Sequence, residues 1–225
     1  MTSKNIKNIL SLLDEAYGKA KPFRKTDPVD EIVRTILSQN TNDRNSLGAF
    51  AALKGHFKSW EEAADDSVPT IRRLIKHAGL ANLKARRIKD VLIRIRRRQG
   101  RISLAILDTI ETGPALEYLR SFKGVGPKTA ACVLLFSFGK PIMPVDTHIF
   151  RVAKRLGLID GRMSVEEAHD VLTALIPKNL IYRLHLGIIA HGRRTCKAQN
   201  PRCGFCVLYN ICAFKDKRLY KGDEN

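Results

Sequence analysis

Residues 119–135 read Leu119-Arg-Ser-Phe-Lys-Gly-Val-Gly-Pro-Lys-Thr-Ala-Ala-Cys-Val-Leu-Leu135. Gly124 and Gly126 flank Val125 between a short helical pattern, Leu116 to Leu119, and a longer one that opens at Pro127. This spacing predicts two helices joined by a hairpin. Glycines permit the tight turn and the close approach of another backbone, and free amides at the start of the second helix form an anion site suited to a phosphate oxygen. A bare Gly-x-Gly marks any tight turn. Preceded by Phe122-Lys123 and followed by Pro127-Lys128-Thr129-Ala130-Ala131, it is a helix–hairpin–helix signature for contact with the DNA backbone irrespective of sequence.

Outward from the hairpin, apolar residues recur at helical spacing almost everywhere, and no segment alternates as a strand would, so the expected class is all-α. Val29, Ile32, Val33, Ile36 and Leu37 form one stripe; Ile71, Leu74, Ile75 and Ala78 form another. Ala85, Ile88, Val91, Leu92 and Ile95 form a third, and Leu184, Ile188 and Ile189 part of a fourth. Pro69 suits a first helical turn, Ser164-Val165-Glu166-Glu167 reads as a capping box, and Gly79, Gly100, Gly157 and Gly192 are expected to end helices. The tail from Lys215 is expected to fray.

Twenty residues past the hairpin, Pro144-Val145-Asp146-Thr147-His148 precedes a helix whose apolar face carries Ile149, Val152, Ala153 and Leu156. Alone, Asp146 reads as an N-cap and Lys128 as a solvated phosphate contact. Together they suggest more. An ammonium partly desolvated in a basic groove has its pKa lowered, and a nearby carboxylate can accept its proton or stabilise a developing cation.

Four of the five cysteines, Cys196, Cys203, Cys206 and Cys212, lie within seventeen residues as C-x6-C-x2-C-x5-C. They bind one metal centre or form disulfides. Nothing in Met1-Thr-Ser-Lys-Asn resembles a secretory leader, which speaks against disulfides. Structural zinc usually uses two short knuckles, whereas one knuckle flanked by single cysteines leans to a [4Fe-4S] cluster. Cys132, in an apolar helix, reads as a small buried residue.

The chain has 225 residues, 40 Lys+Arg against 22 Asp+Glu and a formal net charge of +18. Such an excess favours a polyanionic partner, nucleic acid above all. No apolar run reaches membrane-spanning length. Nine cations between Lys84 and Arg101 face one acid, Asp90, and are expected to wrap the solvent side of a helix. Arg193, Arg194, Lys197 and Arg202 crowd the cysteine loop, which a metal would fix for presentation to phosphates.

Gly124-Val-Gly-Pro-Lys-Thr-Ala, Val145-Asp-Thr-His-Ile-Phe-Arg-Val, and His191-Gly-Arg with the cysteine loop, in this order, closely resemble the endonuclease III family of base-excision DNA glycosylases. The match runs from about Pro28 to Cys212. The resemblance implies two helical domains with DNA in the cleft between them. One is a six-helix barrel containing the hairpin, residues 22–132; the other is an iron–sulfur domain of residues 1–21 plus 133–225, whose N-terminal helix carries Ile6, Ile9, Leu10 and Leu13. It also implies a [4Fe-4S] cluster on Cys196, Cys203, Cys206 and Cys212.

In such enzymes the lysine after the hairpin is the nucleophile and the aspartate before the following helix assists it, roles that fall here on Lys128 and Asp146. Monofunctional relatives lack that lysine. The resemblance therefore implies a bifunctional DNA glycosylase/AP lyase that excises damaged, oxidised pyrimidines from duplex DNA and cuts 3′ to the abasic site by β-elimination. The family loop S-x-Q-x-T-D appears here as Ser38-Gln39-Asn40-Thr41-Asn42-Asp43, so Asn40 takes the glutamine position, and Leu80 aligns with a wedge residue. Expected DNA contacts are Gln39, Asn40, Leu80, Gly124, Val125, Gly126, His148, Arg193, Arg194, Lys197 and Arg202. Asn40 keeps a uracil/thymine mismatch glycosylase of the same fold as an alternative, and a non-catalytic iron–sulfur DNA-binding or redox-sensing protein is another. The protein is expected to act as a monomer, off the membrane, and in the cytoplasm with the nucleoid if the source is prokaryotic.

Overall fold

Helix Pro127–Phe138 (α8) buries Thr129 through Leu135 without interruption, together with Ser137. A helix apolar on all sides belongs at the centre of its domain, and α8 fills that place in a computed structural model describing residues 3–220. The chain divides into two units, residues 24–140 and residues 1–23 with 141–225.

In the continuous unit, Pro28–Ser38 (α2) packs along α8 and presents the predicted stripe, all five residues buried. Asp27 caps it by accepting from the N–H groups of Val29 and Asp30, and Pro28 occupies the first turn, where no N–H is needed. The Thr26 N–H donates to the Phe136 carbonyl at 3.1 Å, tying the start of α2 to the end of α8. Around this pair stand Asp43–His56 (α3), Trp60–Asp65 (α4), Val68–Leu74 (α5), Ala81–Gln99 (α6) and Thr112–Arg120 (α7). Helix α8 lies whole within this unit.

The second unit joins Ser3–Tyr17 (α1) to Thr147–Leu156 (α9), Val165–Leu175 (α10) and Ile181–Arg194 (α11), with α11 packed on both α1 and α9. Ile6, Ile9, Leu10 and Leu13 of α1 are all buried. The Ser164–Glu167 capping box forms as read. Among the described residues there is no strand, and no helix is long and apolar enough to cross a membrane.

Three local expectations are corrected. Gly192 does not end a helix but lies within α11, where an added Cβ would come 2.9 Å from His148 Cβ; the glycine serves close approach of α9. The tail does not fray at Lys215: residues Lys215–Tyr220 form a 3₁₀ helix, fastened by Lys217 Nζ donating to the carbonyls of Tyr209 at 2.8 Å and Cys212 at 2.6 Å. The remainder of the tail lies outside the described residues. Lys84, placed by sequence among solvated charges, is 1% exposed, because its Nζ finds backbone carbonyls inside the unit.

Candidate functional site

The hairpin forms between α7 and α8. Gly124 has φ +91, a conformation L side chains rarely adopt. Gly126 is the N-cap of α8 with φ −84, and nothing lies within 4 Å of where its Cβ would be; what it provides is open space for an approaching backbone. The Val125 side chain is buried, and its N–H donates to the Phe122 carbonyl at 3.0 Å within the hairpin.

Lys128 follows at the second position of α8, half-buried, where first-turn amides have no intrahelical partner. Its electrostatic neighbour within the unit is Glu31, on α2. Burial raises the Glu31 carboxyl pKa, opposed by the cations of Arg34 and Lys128 and by hydrogen bonds from Thr26 and Thr35. Sequence reading missed Glu31 because it looks like one more first-turn acid; only the packing of α2 on α8 turns it inward.

Two turns of the same unit carry the other expected contacts. Gln39 ends α2, and its Oε1 accepts from Arg87 at 2.9 Å. Asn40 is exposed with φ 49; Leu80 is 54% exposed with φ 50.

In the second unit Asp146 caps α9, accepting the N–H groups of His148 at 2.9 Å and Ile149 at 2.8 Å. His148 Nδ1 lies 3.1 Å from Arg151 Nη2. Arg151 also donates to the carbonyls of Gly192 and Cys196, each at 2.9 Å, so one guanidinium ties the Asp146 helix to the cysteine loop. Burial, helped by Arg151, pushes the His191 pKa down to about 4, leaving a neutral ring whose Nδ1 meets the Tyr17 hydroxyl at 2.9 Å.

Cys196, Cys203, Cys206 and Cys212 line one cavity with His191, Arg155, Val152, Leu156, Leu208 and Phe214. The thiols sense one another: burial first, then the other cysteines, raise Cys203 and push Cys206 up to about 11. Among the described residues no three acidic, His or Cys side chains close into a ligand group. Arg155 donates to Cys196 Sγ at 3.3 Å and to the Lys197 carbonyl at 2.7 Å, while its own carbonyl accepts from Cys212 Sγ at 3.2 Å. Four soft donors on one cavity, with a cation beside them, fit a four-thiolate group in chemistry. Arg151 and Arg155 were invisible as loop anchors in sequence, since both sit on the polar positions of an ordinary amphipathic helix.

The remaining expected contacts, Arg193, Arg194, Lys197 and Arg202, are all exposed. Arg194 lies over the Tyr17 ring, 5.7 Å from its centroid.

Residues 33–178 match the HhH-GPD superfamily of base excision DNA repair proteins. Endonuclease III of Thermotoga maritima is 35% identical over 196 residues, 87% of each chain. An Arabidopsis thaliana protein described as a predicted DNA glycosylase is 37% identical over 165 residues, 73% of this chain but 56% of that longer one. The structure also resembles a trapped covalent endonuclease III–DNA intermediate in its estranged-adenine complex, with TM-score 0.81 and 28% identity over 97% of this chain and 99% of that one. The chain thus belongs to the HhH-GPD superfamily of base excision DNA repair proteins and, within it, to the endonuclease III family.

Proposed function

We propose that the protein is a bifunctional DNA glycosylase and AP lyase that removes damaged, oxidised pyrimidines from duplex DNA, with Lys128 as nucleophile and Asp146 as the assisting carboxylate. The observation that carries this reading is the position of Lys128 in the first turn after the hairpin, in a chain similar to one trapped covalently on DNA. The damaged nucleotide leaves the stack, since C1′ is otherwise out of reach. Asp146 stabilises the oxocarbenium-like sugar as the base departs. Lys128, as free amine, bonds to C1′ and gives up a proton; the C1′–O4′ bond then breaks, O4′ takes up a proton, and the sugar opens. The resulting Schiff base acidifies the C2′ proton; its loss breaks the C3′–O bond and cuts the strand 3′ to the lesion.

Cys196, Cys203, Cys206 and Cys212 are the residues that would hold a [4Fe-4S] cluster. Bound there, it would supply a rigid cross-link that orders the loop bearing Lys197 and Arg202. Purified without oxidant, the protein should carry about four iron and four sulfide per chain; zinc without sulfide would contradict this.

The substrate is tested with duplexes bearing one thymine glycol, dihydrouracil, uracil, thymine opposite guanine, or abasic site. The proposal expects excision and nicking at thymine glycol and dihydrouracil. Action confined to uracil or thymine opposite guanine would overturn it in favour of mismatch repair.

A further inference from the structure

Lys84 lies in the first turn of α6, 1% exposed, and its Nζ donates to the Leu37 carbonyl at 2.7 Å and the Ala78 carbonyl at 2.6 Å. No carboxylate pairs with it among the described residues. A buried ammonium without a counter-ion is costly; an apolar side chain of similar volume would avoid that cost but leave the Leu37 and Ala78 carbonyls without this donor. Burial alone does not account for a lysine here.

What the ammonium joins does. Leu37 precedes the turn Ser38-Gln39-Asn40, and Ala78 precedes the turn Gly79-Leu80. Each turn places a non-glycine residue in the left-handed region, Asn40 at φ 49 and Leu80 at φ 50, a strained conformation that persists only where its surroundings enforce it. The turns also touch, for a Cβ on Gly79 would lie 3.4 Å from the Asn40 carbonyl oxygen. Three residues along the same helix, Arg87 donates to Gln39 Oε1 at 2.9 Å, while its stem lies against Gly124, where an added Cβ would be 3.0 Å from Cδ. Gln39 is therefore occupied, and Asn40 and Leu80 are the exposed side chains of the pair of turns.

We propose that Lys84, supported by Arg87, is a positioning residue that locks the Asn40 and Leu80 turns into one preformed platform for insertion into duplex DNA. Base extrusion then draws on geometry built before DNA arrives, in place of ordering two strained turns during binding. This rests on the reading that Asn40 and Leu80 meet DNA.

Hydrogen exchange on the intact protein tests the platform itself. In Lys84→Met, segments 37–42 and 77–82 should together exchange about tenfold or more faster, with α8 unchanged. In the same variant, extrusion followed by 2-aminopurine fluorescence in a lesion duplex should slow by about tenfold or more, while cleavage of a single-stranded abasic oligonucleotide stays within about threefold. Arg87→Met, at a half-exposed position, should loosen 37–42 and slow extrusion in the same direction even where Lys84→Met fails to fold. Unchanged exchange, loosening of one turn alone in Lys84→Met, or equal loss on both substrates would overturn the proposal. Leu80→Ala separates the two levels: wild-type extrusion in that variant removes Leu80 as the wedge, whereas the exchange result judges the platform on its own.

Discussion

Asp146 accepts the backbone N–H of His148 at 2.9 Å through Oδ1, and the second bond of the same cap, from Ile149, ends on that same oxygen. The cap therefore uses one half of the carboxylate. Capping and catalysis, rival readings of an aspartate before a helix, are compatible here.

Asp146→Asn keeps a carbonyl oxygen where Oδ1 stands, so α9 should survive with little loss of helical signal. On the role proposed for Asp146, stabilising the cation that develops as the base departs, base excision should fall by about 10²–10³-fold. Single-turnover rates on a lesion duplex and on a preformed abasic duplex check this, the second falling less. Equal losses on both substrates would point to structural damage.

Two glycines inside helices should respond to alanine with opposite sign. Gly48 of α3 has nothing within 4 Å of its missing Cβ, so Gly48→Ala should stabilise by about 0.4–1 kcal/mol. Gly192→Ala would bring a Cβ to 2.9 Å from His148 Cβ and 3.2 Å from its Nδ1, and should destabilise by roughly 1–3 kcal/mol. Urea midpoints with unchanged slopes decide both.

Glu31 offers a pH signature. Burial raises its carboxyl above the ordinary 4.5, so the folded state holds this proton more tightly than the unfolded chain does. Its contribution is favourable at low pH and is lost as pH rises from about 4.5 through the raised folded value. Glu31→Gln should therefore leave stability unchanged in acid and raise it at neutral pH, seen in melting temperatures across pH. A variant less stable at neutral pH than the wild type would contradict this.

Much of this was legible in the sequence where local rules govern. The α2 stripe, the α8 opening at Pro127 and the Ser164 box all formed because period, proline and cap agree within one segment. What was hidden depends on partners far along the chain. Lys84 looked solvated because its acceptors, Leu37 and Ala78, lie in other elements. Gly192 looked like a terminator because the α9 side chain that needs its space is His148, 44 positions away by number.

The central claim is that Lys128 forms the covalent bond to C1′, and borohydride reduction on an abasic duplex tests it directly. Wild-type protein should be trapped as a stable protein–DNA adduct. Lys128→Ala should give no adduct while binding the same duplex within about tenfold of wild type, since one phosphate-range contact is worth at most about 1–2 kcal/mol. An adduct formed by Lys128→Ala at the wild-type rate would show that another amine attacks the sugar, contradicting the account.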